Sequence, residues 1–203
     1  MNSPKTETKN EMLKRQQNEK EQRRLKDNFR KAEIAAKKDY PDEVWLTANA
    51  VASQIKNLGV EGNLDNIFVA QQRIPKSKRQ RKILKKEIIQ AKILTKLGSI
   101  VYLIPEVGPI KMKHPDAIVN GIKMEFKNIE GSIDQLQTRY KESRNKGIDD
   151  VFITFDPKVS FTKRQITNAL AGVIHKKGYK KGRIIVQLPN SDKVYFWSVK
   201  DLR

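Results

Sequence analysis

Asp116 and Glu125 lie at either end of the stretch DAIVNGIKME, and Lys127 follows two residues later. Asn120-Gly121, at its centre, is the strongest short hairpin signal, because a type I′ turn needs positive φ at both central residues. Counting outward from that turn pairs Val119 with Ile122, Ile118 with Lys123, Ala117 with Met124 and Asp116 with Glu125, and sets His114 opposite Lys127. Strand side chains alternate, so Asp116, Glu125 and Lys127 share one face, which we expect to be open to solvent. Ala117, Val119, Ile122, Met124 and Phe126 share the other face, and this clean alternation supports the register. Directly opposed Cβ atoms are about 4.5–5.5 Å apart, where like charges repel, so two facing carboxylates need a cation or a shared proton. Oxygen ligands suit Mg²⁺ or Mn²⁺, and such an ion lowers the pKa of its water and neutralises a scissile phosphate. An ammonium at Lys127 would stabilise developing negative charge or hold the attacking water. The chemistry this set can do is therefore metal-assisted phosphodiester hydrolysis. The plainer alternative is a surface hairpin in which Lys123 and Lys127 simply flank Glu125.

Such a hairpin needs a sheet behind it. After Gly98 the segments SIVYLIPE, DAIV, IKMEFKNI, DVFITF, RIIVQL and KVYFWSV are short and rich in strand formers. Two helical patterns lie among them, one from Ile133 to about Lys146 with Ser132 as N-cap, the other from Thr162 to about Lys177 before Gly178. Upstream, residues 73–96 hold ten basic residues and one acid, Glu87. Their first part reads as a loop and the rest as a helix, with Ile83, Ile88, Ala91, Leu94 and Leu97 on a buried stripe and Gly98 ending it. The order from residue 80 is helix, three strands, helix, strand, helix and a last pair of strands, which predicts an α/β sandwich around a mixed sheet. From Asp42 to Leu58 the apolar spacing predicts an amphipathic helix stopped by Gly59, and EGNLDN reads as a loop. Residues 1–38 hold twelve Lys or Arg and six Asp or Glu, with apolar residues too sparse for a heptad seam. They read as a charged helical or disordered arm. The expected organisation is this arm at 1–38, a helical connector at 39–72 and the α/β domain at 73–203.

The 203 residues suffice for one domain with a real core plus an appendage. Lys and Arg total 42 against 23 Asp and Glu, a net charge of +19 that favours a polyanionic partner through counterion release. With no cysteine there is no disulfide framework and no thiolate ligand or nucleophile. The N-terminus lacks the apolar run of a secretory signal, and no stretch approaches the roughly 20 apolar residues of a membrane span. The expectation is a cytoplasmic protein with no membrane partner.

Pro115-Asp116 on one strand and Glu125-Phe126-Lys127 on the next resemble the signature of the PD-(D/E)xK nuclease superfamily, whose core has the element order αβββαβ found here. The resemblance implies that Asp116 and Glu125 hold Mg²⁺ or Mn²⁺, and that Lys127 positions or activates the water. Glu87 matches the helical glutamate of that family, or else is an exposed partner of Lys82 or Lys86. More narrowly, PDAIVNGIKMEFKNIEG followed by a Gln-rich helix is similar to the C-terminal toxin domains of bacterial contact-dependent inhibition proteins, over about residues 80–203. Several such domains cut tRNA and others cut DNA. Likeness to them implies an RNA or DNA substrate, a cognate immunity protein, and delivery into a target-cell cytoplasm.

Other residues extend this picture. Lys76, Lys78, Arg79 and Arg81 are candidate phosphate contacts. Gln135 and Arg139 share a helix face that could touch a phosphate or base, although Ser132-x-x-Gln135 is also a capping box. Glu106 is either a further ligand or a loop carboxylate. His114 could reach the phosphate, and His175 near a helix end has the dipole as its simplest account. Tyr179 either stacks on a base or packs on the sheet, and one of Phe196 and Trp197 should enter the core. A non-catalytic nucleic-acid binder of a phage or mobile element is the alternative to a nuclease.

Overall fold

The computed structural model describes residues 9–55, 58–105 and 114–203. The strands are β1 (Trp45–Thr47), β2 (Ile67–Ala70), β3 (Val101–Leu103), β4 (Ala117–Val119), β5 (Ile122–Ile129), β6 (Asp150–Phe155), β7 (Arg183–Gln187) and β8 (Val194–Ser198). They form one eight-stranded sheet in sequence order. The pairs β2–β3, β5–β6 and β6–β7 are parallel and the rest antiparallel, so the sheet is mixed, as expected. Each parallel pair needs a long crossover. The crossovers carry α3 (Lys78–Lys96), α4 (Ile133–Asn145) and α5 (Lys163–Lys177), while α1 (Lys9–Asp39) and α2 (Ala48–Gln54) lie upstream.

Local chemistry starts these helices where it should. Ser77, Ser132 and Thr162 each accept the backbone N–H three residues on, and Gly178 closes α5 in the left-handed conformation at φ 65°. One face of the sheet buries Val69, Leu103, Ala117, Val119, Met124 and Phe126 against Val51 of α2 and Leu84, Ile88, Ala91 and Leu94 of α3. The opposite face is covered in two strips. Ala32 and Ala36 of α1 pack on Tyr102 and Ile118, and Leu136, Tyr140, Ile166, Leu170 and Ile174 of α4 and α5 pack on Val151, Ile153, Ile184 and Val186.

Four expectations need correction. The predicted helix from Asp42 to Leu58 is instead β1 followed by α2, because Thr47 caps a helix at Ala48 and its hydroxyl accepts Ala50 N at 3.2 Å. Residues 39–72 also contain β2, so the segment contributes two strands to the common sheet. Leu97 is the exposed C-cap of α3 rather than part of its buried stripe. Ile122, beside the turn, is exposed because it lies past the core that holds Met124 and Phe126. The charged arm is a single helix of 31 residues, about 46 Å at 1.5 Å per residue. Its small residues Ala32, Ala35 and Ala36 let its second half settle on the sheet, while Met12 and Leu13 remain exposed.

Candidate active site

The hairpin forms in the register that the turn dictates, with Ala117 opposite Met124, Ile118 opposite Lys123 and Val119 opposite Ile122. Asn120 and Gly121 have φ 50° and 87°. Glycine is needed at 121 for a second reason: a Cβ there would stand 3.0 Å from the Lys31 carbonyl oxygen of α1, which runs over the turn. Lys123 pairs with Asp39 at the end of α1 at 3.0 Å, a second tie between helix and hairpin.

Asp116, Glu125 and Lys127 come together on the face shared by α1 and α4, at the seam between the two covered strips. Ile118 beside them belongs to the strip under α1, and Val151, the β6 neighbour of Glu125, to the strip under α4 and α5. The expectation of a solvent-facing patch does not hold, because Glu125 is 0% exposed. Its Oε1 accepts from Lys127 Nζ at 2.6 Å and from Lys146 Nζ at 2.5 Å. Its Oε2 is buried with no hydrogen-bond partner among the described residues. Asp116 Oδ2 accepts the Phe126 N–H at 2.7 Å. Burial raises the Asp116 pKa above its usual value, and the Glu125 charge raises it further, against the opposing pull of the Phe126 amide, Lys127 and Lys146. Burial alone would lower the Lys146 pKa, but the hydrogen bond and charge of Glu125, aided by Asp116 and Glu142, raise it.

Lys146 has no signal in the sequence. It is the C-cap of α4, 21 residues beyond Glu125, and reaches it only because α4 runs back along β5 before β6 begins. The turn that carries it is well fixed. Gly147 N donates to Arg144 O and Ile148 N to Ser143 O, and Arg144 pairs with Asp149 at 2.7 Å.

Glu87 is buried in an ion pair with Arg73, and is not the exposed partner of a lysine. Arg73 in turn donates to the carbonyls of Ile104 at 3.0 Å and of Asp116 at 3.2 Å. Through Arg73, Glu87 therefore fixes the backbone from which the Asp116 carboxylate projects. Gln90, one turn further along α3, donates to the Lys127 carbonyl at 3.2 Å and to Thr154 Oγ1 at 2.9 Å. Arg73, Gln90 and Thr154 hold the two motif strands from outside the motif.

Gln135 has its side-chain oxygen committed to the amides of Glu130 at 2.9 Å and Gly131 at 2.8 Å, a wider clamp than the capping box expected. Arg139 is exposed and contacts Glu142 at 3.0 Å. Lys76, Lys78, Arg79 and Arg81 are all exposed around the start of α3. His114 Nδ1 lies 3.1 Å from the Tyr40 hydroxyl, and His175 is exposed in the last turn of α5. Tyr179 packs edge-on to Tyr140 under the Arg144 guanidinium, and Trp197 rather than Phe196 turns inward. Glu106 lies outside the described residues.

Among the described residues no cluster of three or more His, Cys, Asp or Glu side chains could hold a metal. What the seam offers is two carboxylates, with Oε2 of Glu125 buried and unpartnered among the described residues, a donor set that suits a hard cation needing further ligands from water or substrate. No helix among the described residues is long and apolar enough to cross a membrane.

No family model and no curated protein matches the chain. Among solved structures, the CdiA-CT/CdiI toxin and immunity complex from Burkholderia pseudomallei aligns with it at a TM-score of 0.45 and 18% identity, over 60% of this chain and 89% of that one. Likeness at that level is a partial likeness of shape.

Proposed function

We propose that this chain is a divalent-metal-dependent endonuclease of the PD-(D/E)xK kind, hydrolysing phosphodiester bonds in RNA such as tRNA or in DNA. The observation that carries the proposal is the convergence of Asp116, Glu125 and Lys127 at one seam, with a buried Glu125 oxygen left without a partner. A buried carboxylate oxygen left unpaired is costly, and so is a second carboxylate beside it. The two lysines balance charge through Oε1 alone, which leaves Oε2 and the neighbouring Asp116 carboxylate ready for a cation.

Asp116 and Glu125 would hold Mg²⁺ or Mn²⁺. When bound, the ion lowers the pKa of the attacking water and neutralises charge on the scissile phosphate. Lys127, within hydrogen-bond reach of Glu125, presents its ammonium next to that seat, where it orients the water and stabilises negative charge that builds on the phosphate. Arg73 and Glu87 keep the Asp116 main chain in place, so the two carboxylates meet the ion without rearrangement of the strands. Lys76, Lys78, Arg79 and Arg81, exposed on one helix start of a +19 chain, supply phosphate contacts that bring the polyanion in. Arg139 adds one more on α4, with Gln135 beside it. The toxin-like reading also brings a cognate immunity protein as the expected protein partner.

The test is digestion of total tRNA and of plasmid DNA with and without Mg²⁺, by wild type and by Glu125→Gln. Cleavage that needs both the ion and Glu125 supports the proposal. Salt-dependent binding that survives EDTA and Glu125→Gln, without cleavage of either substrate, would favour a non-catalytic nucleic-acid binder instead.

A further inference from the structure

Asp116 and Glu125 carry two formal negative charges, and the structure sets two ammonium groups against them, Lys127 and Lys146. Both ammoniums crowd onto the same oxygen, Oε1 of Glu125, and leave Oε2 bare. The two lysines are otherwise unlike. Lys127 is held on strand β5 with its side chain 14% exposed, while Lys146 comes from the end of a helix with its side chain 38% exposed. Its backbone is held by the α4 C-terminal turn, and its four-carbon stem, part exposed to solvent, carries the ammonium to Glu125.

We infer that Lys146 is a stand-in for the cation: its ammonium neutralises Glu125 while the seat is empty, is displaced when a divalent ion binds Asp116 and Glu125, and then turns outward onto a phosphate of the bound nucleic acid. This rests on the cation-dependent reading of the site. Glu125 already carries two ammonium groups on Oε1, and a divalent ion beside them would add like charge at close range, so the arriving ion and the Lys146 ammonium compete for Glu125. Lys127 does not leave, because its strand fixes it beside the seat. Lys146, at 38% side-chain exposure, has solvent on one side into which its ammonium can be rehydrated. It is thus a competitor of the ion and a contact for the substrate, and the competition ties ion binding to nucleic-acid binding.

The test is calorimetric titration of Mn²⁺ into metal-free full-length wild type, Lys146→Met, Lys146→Gln and Lys146→Arg, with Asp116→Asn as the control for the seat. Removing the competing charge should tighten Mn²⁺ binding about tenfold in Lys146→Met and Lys146→Gln. Lys146→Arg should match wild type, and Asp116→Asn should lose the binding. A merely structural lysine would weaken Mn²⁺ binding when removed. Equal or weaker binding by both neutral variants, with wild type still binding, overturns the inference and leaves the cation reading standing. No binding by wild type or by any Lys146 variant overturns both, and binding by the neutral variants alone supports the inference. A second readout follows the displaced ammonium. In Ca²⁺ the salt dependence of binding to a short DNA duplex or to tRNA should fall by about 0.7–0.9 in log–log slope for Lys146→Met, and in EDTA it should not change. An equal fall in both media, or in neither, contradicts the outward turn.

Discussion

Glu87 on α3 and Glu125 on β5 are both buried acids, one on each face of the sheet, and they are neutralised in different ways. Glu87 meets a planar guanidinium, Arg73, which has further donors for two carbonyls and ties three chain segments together. Glu125 meets two ammonium groups on one oxygen, keeps its other oxygen bare, and faces a second carboxylate. The first arrangement is closed in charge, its guanidinium tied to one carboxylate and two carbonyls inside the fold. The second is balanced in charge but open in coordination. The first ties chain segments together, and the second leaves oxygen lone pairs on Glu125 that no group among the described residues uses.

Breaking the closed arrangement should have the largest effect. Arg73→Ala strands the Glu87 carboxylate and releases the Asp116 backbone, and should cost about 3–5 kcal/mol in urea unfolding. Glu125→Gln should change stability by no more than about 1 kcal/mol, since it removes a repulsion along with an attraction, yet it should abolish cleavage. If the two variants are equally destabilised, the contrast between the regions is wrong.

Saturating Mg²⁺ should separate them next. An ion at a hundredfold excess over its dissociation constant adds about 2.7 kcal/mol to the folded state. Wild type and Glu87→Gln should show that rise in thermal midpoint, and Asp116→Asn and Glu125→Gln should not. A smaller effect is expected from pH in the metal-free protein. The Asp116 pKa is raised on folding by burial and by Glu125, so the native state takes up a proton before the unfolded chain does. Stability from this group therefore increases as pH falls from neutral through the raised value to the ordinary 3.8. Asp116→Asn should flatten that part of the pH profile and stabilise the metal-free protein at neutral pH, on the order of 1 kcal/mol. The smallest change belongs to an exposed acid as control. Lys86→Ala frees Glu130 from its surface partner and should shift stability by less than about 0.5 kcal/mol, with no change in Mg²⁺ response.

The hairpin is legible in the sequence because Asn120-Gly121 sets the register and the strand period does the rest. The order of elements after residue 80 is legible for the same kind of reason, from short apolar runs and cap residues such as Ser132, Thr162 and Gly178. β1 is hidden because three residues leading into a helix carry no period of their own. β2 does have a signal in Ile67-Phe68-Val69, but it is too short to stand out beside the loop before it. Arg73 and Lys146 are silent in sequence, since their partners lie 14 and 21 residues away and meet them only once α3 and α4 pack on the sheet. The burial of Glu125 belongs to the same class, because it depends on α1 and α4, far apart in sequence, covering neighbouring strips of one face.

The most direct measurement is the anomalous scattering of Mn²⁺ in crystals of the full chain. One peak between the Asp116 and Glu125 carboxylates is predicted, with Lys146 Nζ no longer on Oε1. Crystals in saturating Mn²⁺ that show no peak there, with both ammonium groups still on Glu125, would contradict the account.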